Sequence, residues 1–176
     1  GVRFTNYYTS DAPCLPSRTA FATGKFGIHN GVVNHGGKHA TIRNEGSKRW
    51  FRDEMSQFGF AGLFRQKGMH TALISSFPER HSAWHFASGV HETFSTGKAG
   101  DEVAHEVNEL ALAWVDEHAE KDDWLLYVNY WDPHTPYRTP LDYGNQFEND
   151  PIPEWLTADV LAHHRTLAGP HGAQEV

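Results

Sequence analysis

Five residues near the start of the chain combine types and spacing suited to an anion: Cys14-Leu15-Pro16-Ser17-Arg18. Cys14 is the only cysteine among 176 residues. Pro13 and Pro16 fix backbone angles on either side of it. Pro16 and Ser17 suit the first turn of a helix, where backbone N–H groups lack intrahelical acceptors. The side chain at position 14 then lies across those N–H groups, where negative charge is favoured. Arg18 follows four positions later, about one helical turn on and within reach of Cys14. A nucleophile, a helix N-terminus and a permanent cation together describe a site that handles oxyanions. A lone cysteine is by type a small core residue, so the chemical reading rests on its neighbours. A cysteine-dependent phosphatase loop is the natural competitor. It separates Cys and Arg by five residues, whereas three intervene here.

A second candidate is Trp131-Asp132-Pro133-His134-Thr135-Pro136-Tyr137, which follows the apolar run 124–130. Ligand-handling residues in open α/β sheets cluster beyond the carboxyl ends of strands. Two prolines stiffen this segment, so His134 is presented on a rigid turn. His29, His35 and His39 lie in or near a Gly- and Asn-rich loop over residues 27–37. Their spacing matches no standard zinc pattern, and no second cysteine completes one. They read as loop histidines at the mouth of a site or as plain surface residues.

The elements that must position these groups are legible in outline. Residues 3–9 are β-branched and aromatic, which suggests a short strand or extended segment. A short helix continues through residues 19–23 and stops at Gly24. An amphipathic helix is expected over 53–67, weakened by Gly59, with Gly68 ending it and a buried strand over 69–74. Helix, glycine and apolar strand in succession form half of an α/β unit. Residues 91–100 read as a loop. Asp101 is expected to cap a helix to about residue 120, with Val103, Val107, Leu110, Ala111, Trp114 and Val115 on its apolar face. After a solvated turn at 121–123, residues 124–130 read as a strand buried on both faces of a parallel sheet. From about 146 to 176 the chain is rich in proline and acid, as in a surface excursion or a truncated tail.

Composition sets bounds. Hydrophobic residues make up 39% of the chain and aromatics 13%, which argues for a folded globule rather than disorder. A net charge of −7 gives no reason to expect a nucleic-acid partner. One cysteine excludes an internal disulfide framework. No apolar run approaches membrane-spanning length, and no signal peptide opens the sequence.

Cys14-x-Pro16-Ser17-Arg18, a helix ending in Thr23-Gly24-Lys25 and the upstream Phe4-Thr5-Asn6 together resemble the signature of the type I sulfatases. Asp132-Pro133-His134-x-Pro136-Tyr137 resembles a second motif of that family, which follows a core strand. The resemblance covers most of residues 1–145, densely at 4–25 and 124–137. It implies an α/β fold of alkaline-phosphatase type, a mostly parallel sheet flanked by helices, with 1–176 an internal portion of one catalytic domain.

The same resemblance implies that a maturation enzyme oxidises Cys14 to formylglycine, whose hydrated aldehyde attacks a sulfate ester. It implies Ca2+ as cofactor, with formylglycine 14 among its ligands and the remaining ligands outside this chain. Arg18 would stabilise the ionised diol, and His134 would contact the sulfate near the bridging oxygen. The family carries a Lys-x-His pair after the strand ending near residue 74. This chain has Ser75-Ser76-Phe77-Pro78-Glu79-Arg80-His81 instead, so the resemblance makes Arg80 and His81 the substrate-binding candidates, with His85 a further one; the alternative is that they are packing residues of an aromatic-rich stretch. Two alternatives stay open: a phosphonate or phosphate ester hydrolase of the same superfamily, and an inactive relative that binds sulfated glycans. A periplasmic, secreted or lysosomal location is the family's leaning.

Overall fold

The structure, a computed structural model, describes residues 1–36, 39–42, 58–134 and 140–167. Two compact units, Gly1–Trp131 and Asp132–Val176, divide the chain. Three short runs in the first unit pair in one direction: β1 (His70–Ile74), β2 (Glu92–Phe94) and β3 (Trp124–Val128). The sheet order is β2-β1-β3 and both pairings are parallel, with Ala72 opposite Glu92 on one side and Leu126 on the other. Parallel neighbours need crossovers, and helices supply them. In chain order the helices are α1 (Cys14–Thr23), α2 (Gly27–Asn30), α3 (Phe60–Gln66), α4 (Phe77–His81) and α5 (Ala104–His118). This is the expected α/β architecture, a small parallel sheet flanked by helices.

Alternation along the strands sends side chains to two helical layers. On one face Val107, Ala111 and Trp114 of α5 pack on Ala72 and Ile74, with Trp124, Leu126 and Val128 at the margin. The helical spacing of those α5 residues predicted that stripe. On the other face Phe60 of α3 meets Phe21 of α1 and Tyr127 of β3 edge-on, with centroids 5.6 and 5.4 Å away, and the Phe21 and Tyr127 rings are tilted at 6.1 Å. A second core gathers Leu15, Ala22, Val32, Ile42, Phe77, Ala83 and Trp131 beneath α1.

Several expectations need correction. Residues 3–9 form no strand; they are irregular and exposed, with no ladder partner among the described residues. Gly59 is extended and stands at the N-terminus of α3, so it interrupts rather than merely weakens the expected helix; residues 53–57 of that helix lie outside the described residues. The presumed loop 91–100 contains β2, whose three residues sit beside β1. Val103, not Asp101, precedes the first turn of α5. There the Glu106 carboxylate accepts the Val103 N–H at 3.0 Å and pairs with Lys98. Those two bonds hold the Glu106 carboxyl below the usual carboxylate range, the Lys98 bond contributing most. β3 is half-buried along its length rather than buried on both faces, because among the described residues it has a neighbour on one edge only.

Gly100 shows how tightly the segment before α5 packs on the chain after β3. Its φ is +99°, and a Cβ there would lie 2.8 Å from the Trp131 ring. Its N–H donates to the buried Glu102 carboxylate at 2.9 Å. Gly100→Ala therefore meets both an unfavourable dihedral and a ring that is itself buried. The expected cost is about 1–3 kcal/mol of stability, measurable as a lower denaturation midpoint with unchanged m-value.

The second unit is turn-rich. A 3-10 turn spans Leu141–Tyr143, and α6 (Ala158–His164) begins where Thr157 Oγ1 accepts the Val160 N–H at 3.2 Å. Residues 168–176 lie outside the described residues.

Candidate active site around Cys14

Cys14 is the first residue of α1, with Pro13 extended before it and the Ser17 N–H bonded to the Pro13 carbonyl at 3.1 Å. The helix thus starts at the thiol itself. Proline at position 16 costs no bond there, because the first-turn N–H groups have no intrahelical acceptor. Gly24 ends the helix in the left-handed region (φ 65°), its N–H returning to the Ala20 carbonyl. Leu15, fully buried, anchors the first turn in the core, while Cys14 stays half-buried at its margin.

The Leu15 N–H, one of the spare donors of that turn, is bonded to His35 Nε2 at 3.2 Å. Nε2 accepts, which assigns the imidazole proton to Nδ1. The His35 ring lies 4.8 Å from that of His81, which packs in turn on Phe77 at 4.3 Å and Trp131 at 6.1 Å. Arg18, one turn along α1, places its guanidinium 4.5 Å above the Phe77 ring. Its Nε donates to Asn129 Oδ1 at 3.0 Å, just beyond the end of β3. Stacking and that bond fix the guanidinium plane, and its terminal nitrogens have no hydrogen bond among the described residues. Asn129 Nδ2 is buried without a partner, a spare donor beside the cation. Burial pushes the Tyr127 hydroxyl pKa up, and the nearby Arg18 partly opposes this.

Of the residues expected from sequence, Cys14, Arg18 and His81 lie on this cluster. Arg80 does not share it: its side chain is exposed. Adjacent helical residues point about 100° apart, so when His81 of α4 faces inward Arg80 turns away. His85 braces α1, its Nε2 lying 3.1 Å from the buried Thr19 hydroxyl, which donates to the Leu15 carbonyl. His29 is exposed on α2, and the His39 carbonyl accepts from the Val33 and Asn34 N–H groups. Only His35 of the loop histidines reaches the cluster. His134 is half-buried and belongs to the second unit; residues 135–139 lie outside the described residues. Sequence reading passed over Asn129 and left His35 among three equals. Asn129's position, one residue past an apolar strand, was the available signal.

A concavity of about 610 Å3 opens along the flank of α1, lined by Tyr7, Tyr8, Ser17, Arg18, Phe21 and Lys25 among others. It brings Arg18 and Lys25 to one largely apolar and aromatic surface beside the thiol's helix.

The donor set tests the calcium expectation. Around Cys14 stand imidazole, amide and guanidinium groups, whereas calcium needs six to eight oxygen ligands. Asp11, the nearest acidic residue in sequence, is engaged: Oδ1 accepts the Gly27 N–H at 3.0 Å and Oδ2 the Ser10 hydroxyl at 2.9 Å. The residues present do not fit a hard cation by themselves.

A parallel α/β sheet thus carries a cysteine-headed helix with an arginine one turn on, held by Asn129 just past the end of β3. The sulfatase family model matches residues 1–168, and the chain belongs to that family. It is 29% identical over 91 residues to human steryl-sulfatase, covering 52% of this chain and 14% of that protein. It is 31% identical over 97 residues to an N-acetylglucosamine-6-O-sulfatase of Bacteroides thetaiotaomicron, covering 52% and 15%. The longer alignment, to the uncharacterized sulfatase YidJ of Escherichia coli, gives 23% identity over 171 residues and covers 84% and 34%. The chain thus spans about a seventh to a third of the length of these curated relatives. No solved structure matches it.

Proposed function

We propose that the protein is a sulfuric ester hydrolase whose nucleophile is formylglycine made from Cys14. The observation that carries this reading is the placement of Cys14 at the first residue of α1, with Arg18 locked one turn away. A sulfate ester presents a crowded, anionic sulfur and a poor alkoxide leaving group, so water attacks it slowly. Hydration of the aldehyde supplies two hydroxyls on one carbon. One, ionised, bonds to sulfur as the sulfur–oxygen bond to the alcohol breaks. Arg18 stabilises the ionised diol through its free terminal nitrogens. His134 gives the departing alkoxide its proton. The second hydroxyl then loses its proton, the carbonyl re-forms and sulfate leaves; water restores the diol.

His81 is the proposed contact to the sulfate oxygens; Arg80, exposed on the outer side of α4, is not placed to share it. Asn129 Nδ2 is the further donor the geometry adds. A maturation enzyme that oxidises Cys14 is the required partner. Calcium, if it serves this site, takes its carboxylates from outside these residues, and no step above passes through it. The relatives' names speak for sulfate over phosphate esters, and for no particular alcohol. With the matured full-length protein, turnover of an aryl sulfate is expected to exceed that of the matching aryl phosphate. The reverse ranking would favour the phosphate or phosphonate ester reading. Binding of sulfated glycans with no turnover of either ester would favour the inactive relative.

A further inference from the structure

At the other end of the sheet, three side chains that the Cys14 site does not use converge. His70 begins β1, Glu92 begins β2 and His118 ends α5. One ligand atom from each lies within 4.8 Å of the other two. His70 Nε2 stands 3.4 Å from Glu92 Oε2. Zinc bonds of about 2.0–2.1 Å in tetrahedral array set neighbouring ligand atoms about 3.3 Å apart, so this pair is already at a zinc spacing. His70 Nε2 is also buried with no hydrogen-bond partner.

The surroundings fit the same use. His118 Nδ1 lies 2.9 Å from the Trp114 carbonyl, which fixes its proton there and leaves Nε2 as the lone-pair nitrogen. Histidine ligands are held this way by a backbone carbonyl. Trp114 Nε1 donates to Glu92 Oε2 at 2.9 Å, which holds the carboxylate in place beside His70. The Trp114 and His118 rings stack at 4.1 Å, so the helical ligand cannot swing freely. His70 and Glu92 are each more than a third exposed, which leaves a route for an ion and a position for water.

We propose that His70, Glu92 and His118 form a zinc site, with water as fourth ligand, that ties the first residues of β1 and β2 to the end of α5. Two imidazoles and one carboxylate suit a borderline cation such as Zn2+ and not calcium, which wants oxygen alone. The site is separate from the Cys14 cluster. That cluster lies past the far ends of β1 and β3, about 15 Å away for five-residue strands. Its existence does not depend on the sulfatase reading.

Zinc titration of the metal-stripped 176-residue chain, followed by calorimetry, tests the proposal. The Cys14→Ala form serves as the background, so that the thiol cannot contribute. One equivalent is expected to bind, with a rise in Tm. His70→Gln and Glu92→Gln are each expected to weaken that binding at least about ten- to a hundredfold and to abolish the Tm rise. Glu92→Gln keeps an acceptor for Trp114 Nε1, and circular dichroism without metal establishes that both variants fold. Absence of a zinc-dependent Tm rise in the parent, or equal zinc affinity in folded parent and variants, would overturn the assignment. Weak binding at several equivalents that neither substitution alters would do the same, marking adventitious capture by the chain's 13 histidines.

Discussion

A Cys14→Ala form of the matured, full-length protein is expected to lose about four to six orders of magnitude in kcat/KM on an aryl sulfate, by comparison with removal of a covalent nucleophile in other hydrolases. The thiol position heads α1 and half-faces solvent, so alanine there removes few packing contacts. Folding is therefore expected to survive: the denaturation midpoint should stay close to the parent's. Loss of activity with the fold intact separates a chemical role from a structural one. Cys14→Ser, where the maturation enzyme does not oxidise serine, is expected to fail in turnover, because a single hydroxyl can accept the sulfate but has no second hydroxyl on its carbon to expel it.

Arg18→Ala carries the second large effect. The guanidinium is stacked on Phe77 and bonded to Asn129, so it is pre-organised before any ligand arrives. Removing a fixed charge of this kind costs about a hundred- to a thousandfold in kcat/KM. Lysine is not expected to restore it, since an ammonium lacks both the flat stacking face and the Nε donor. Equal losses in kcat and in kcat/KM would place Arg18's contribution in the transition state. A rise in KM alone would make it a ground-state anchor for the sulfate.

The placement of Cys14 and Arg18 on the first turns of α1 was legible in sequence because its determinants are local. Prolines flanking a cysteine, a helical first turn and a cation at i+4 all act within about one turn. The α5 stripe was legible for a similar reason, as one helix repeats its own period. His35 and Asn129 were not, because they reach α1 from 20 and 111 residues away. No spacing rule links such positions; the sheet and the core do. The same holds for His70, Glu92 and His118, which the parallel register of β1 and β2 and the length of α5 bring together. β2 escaped detection as a strand of only three residues, too short for alternation to register. Arg80 and His81 looked equivalent in a loop. Folding that stretch into a helical turn gave one of them the interior and the other the surface.

The central claim is chemical and lies at one atom. Mass spectrometry of the peptide containing residue 14, taken from the full-length protein produced alongside its maturation enzyme, measures it directly. An aldehyde mass at position 14, trappable by a hydrazine reagent and present in proportion to specific activity, is the expected result. A fully active preparation in which that peptide carries an unmodified thiol would contradict the account.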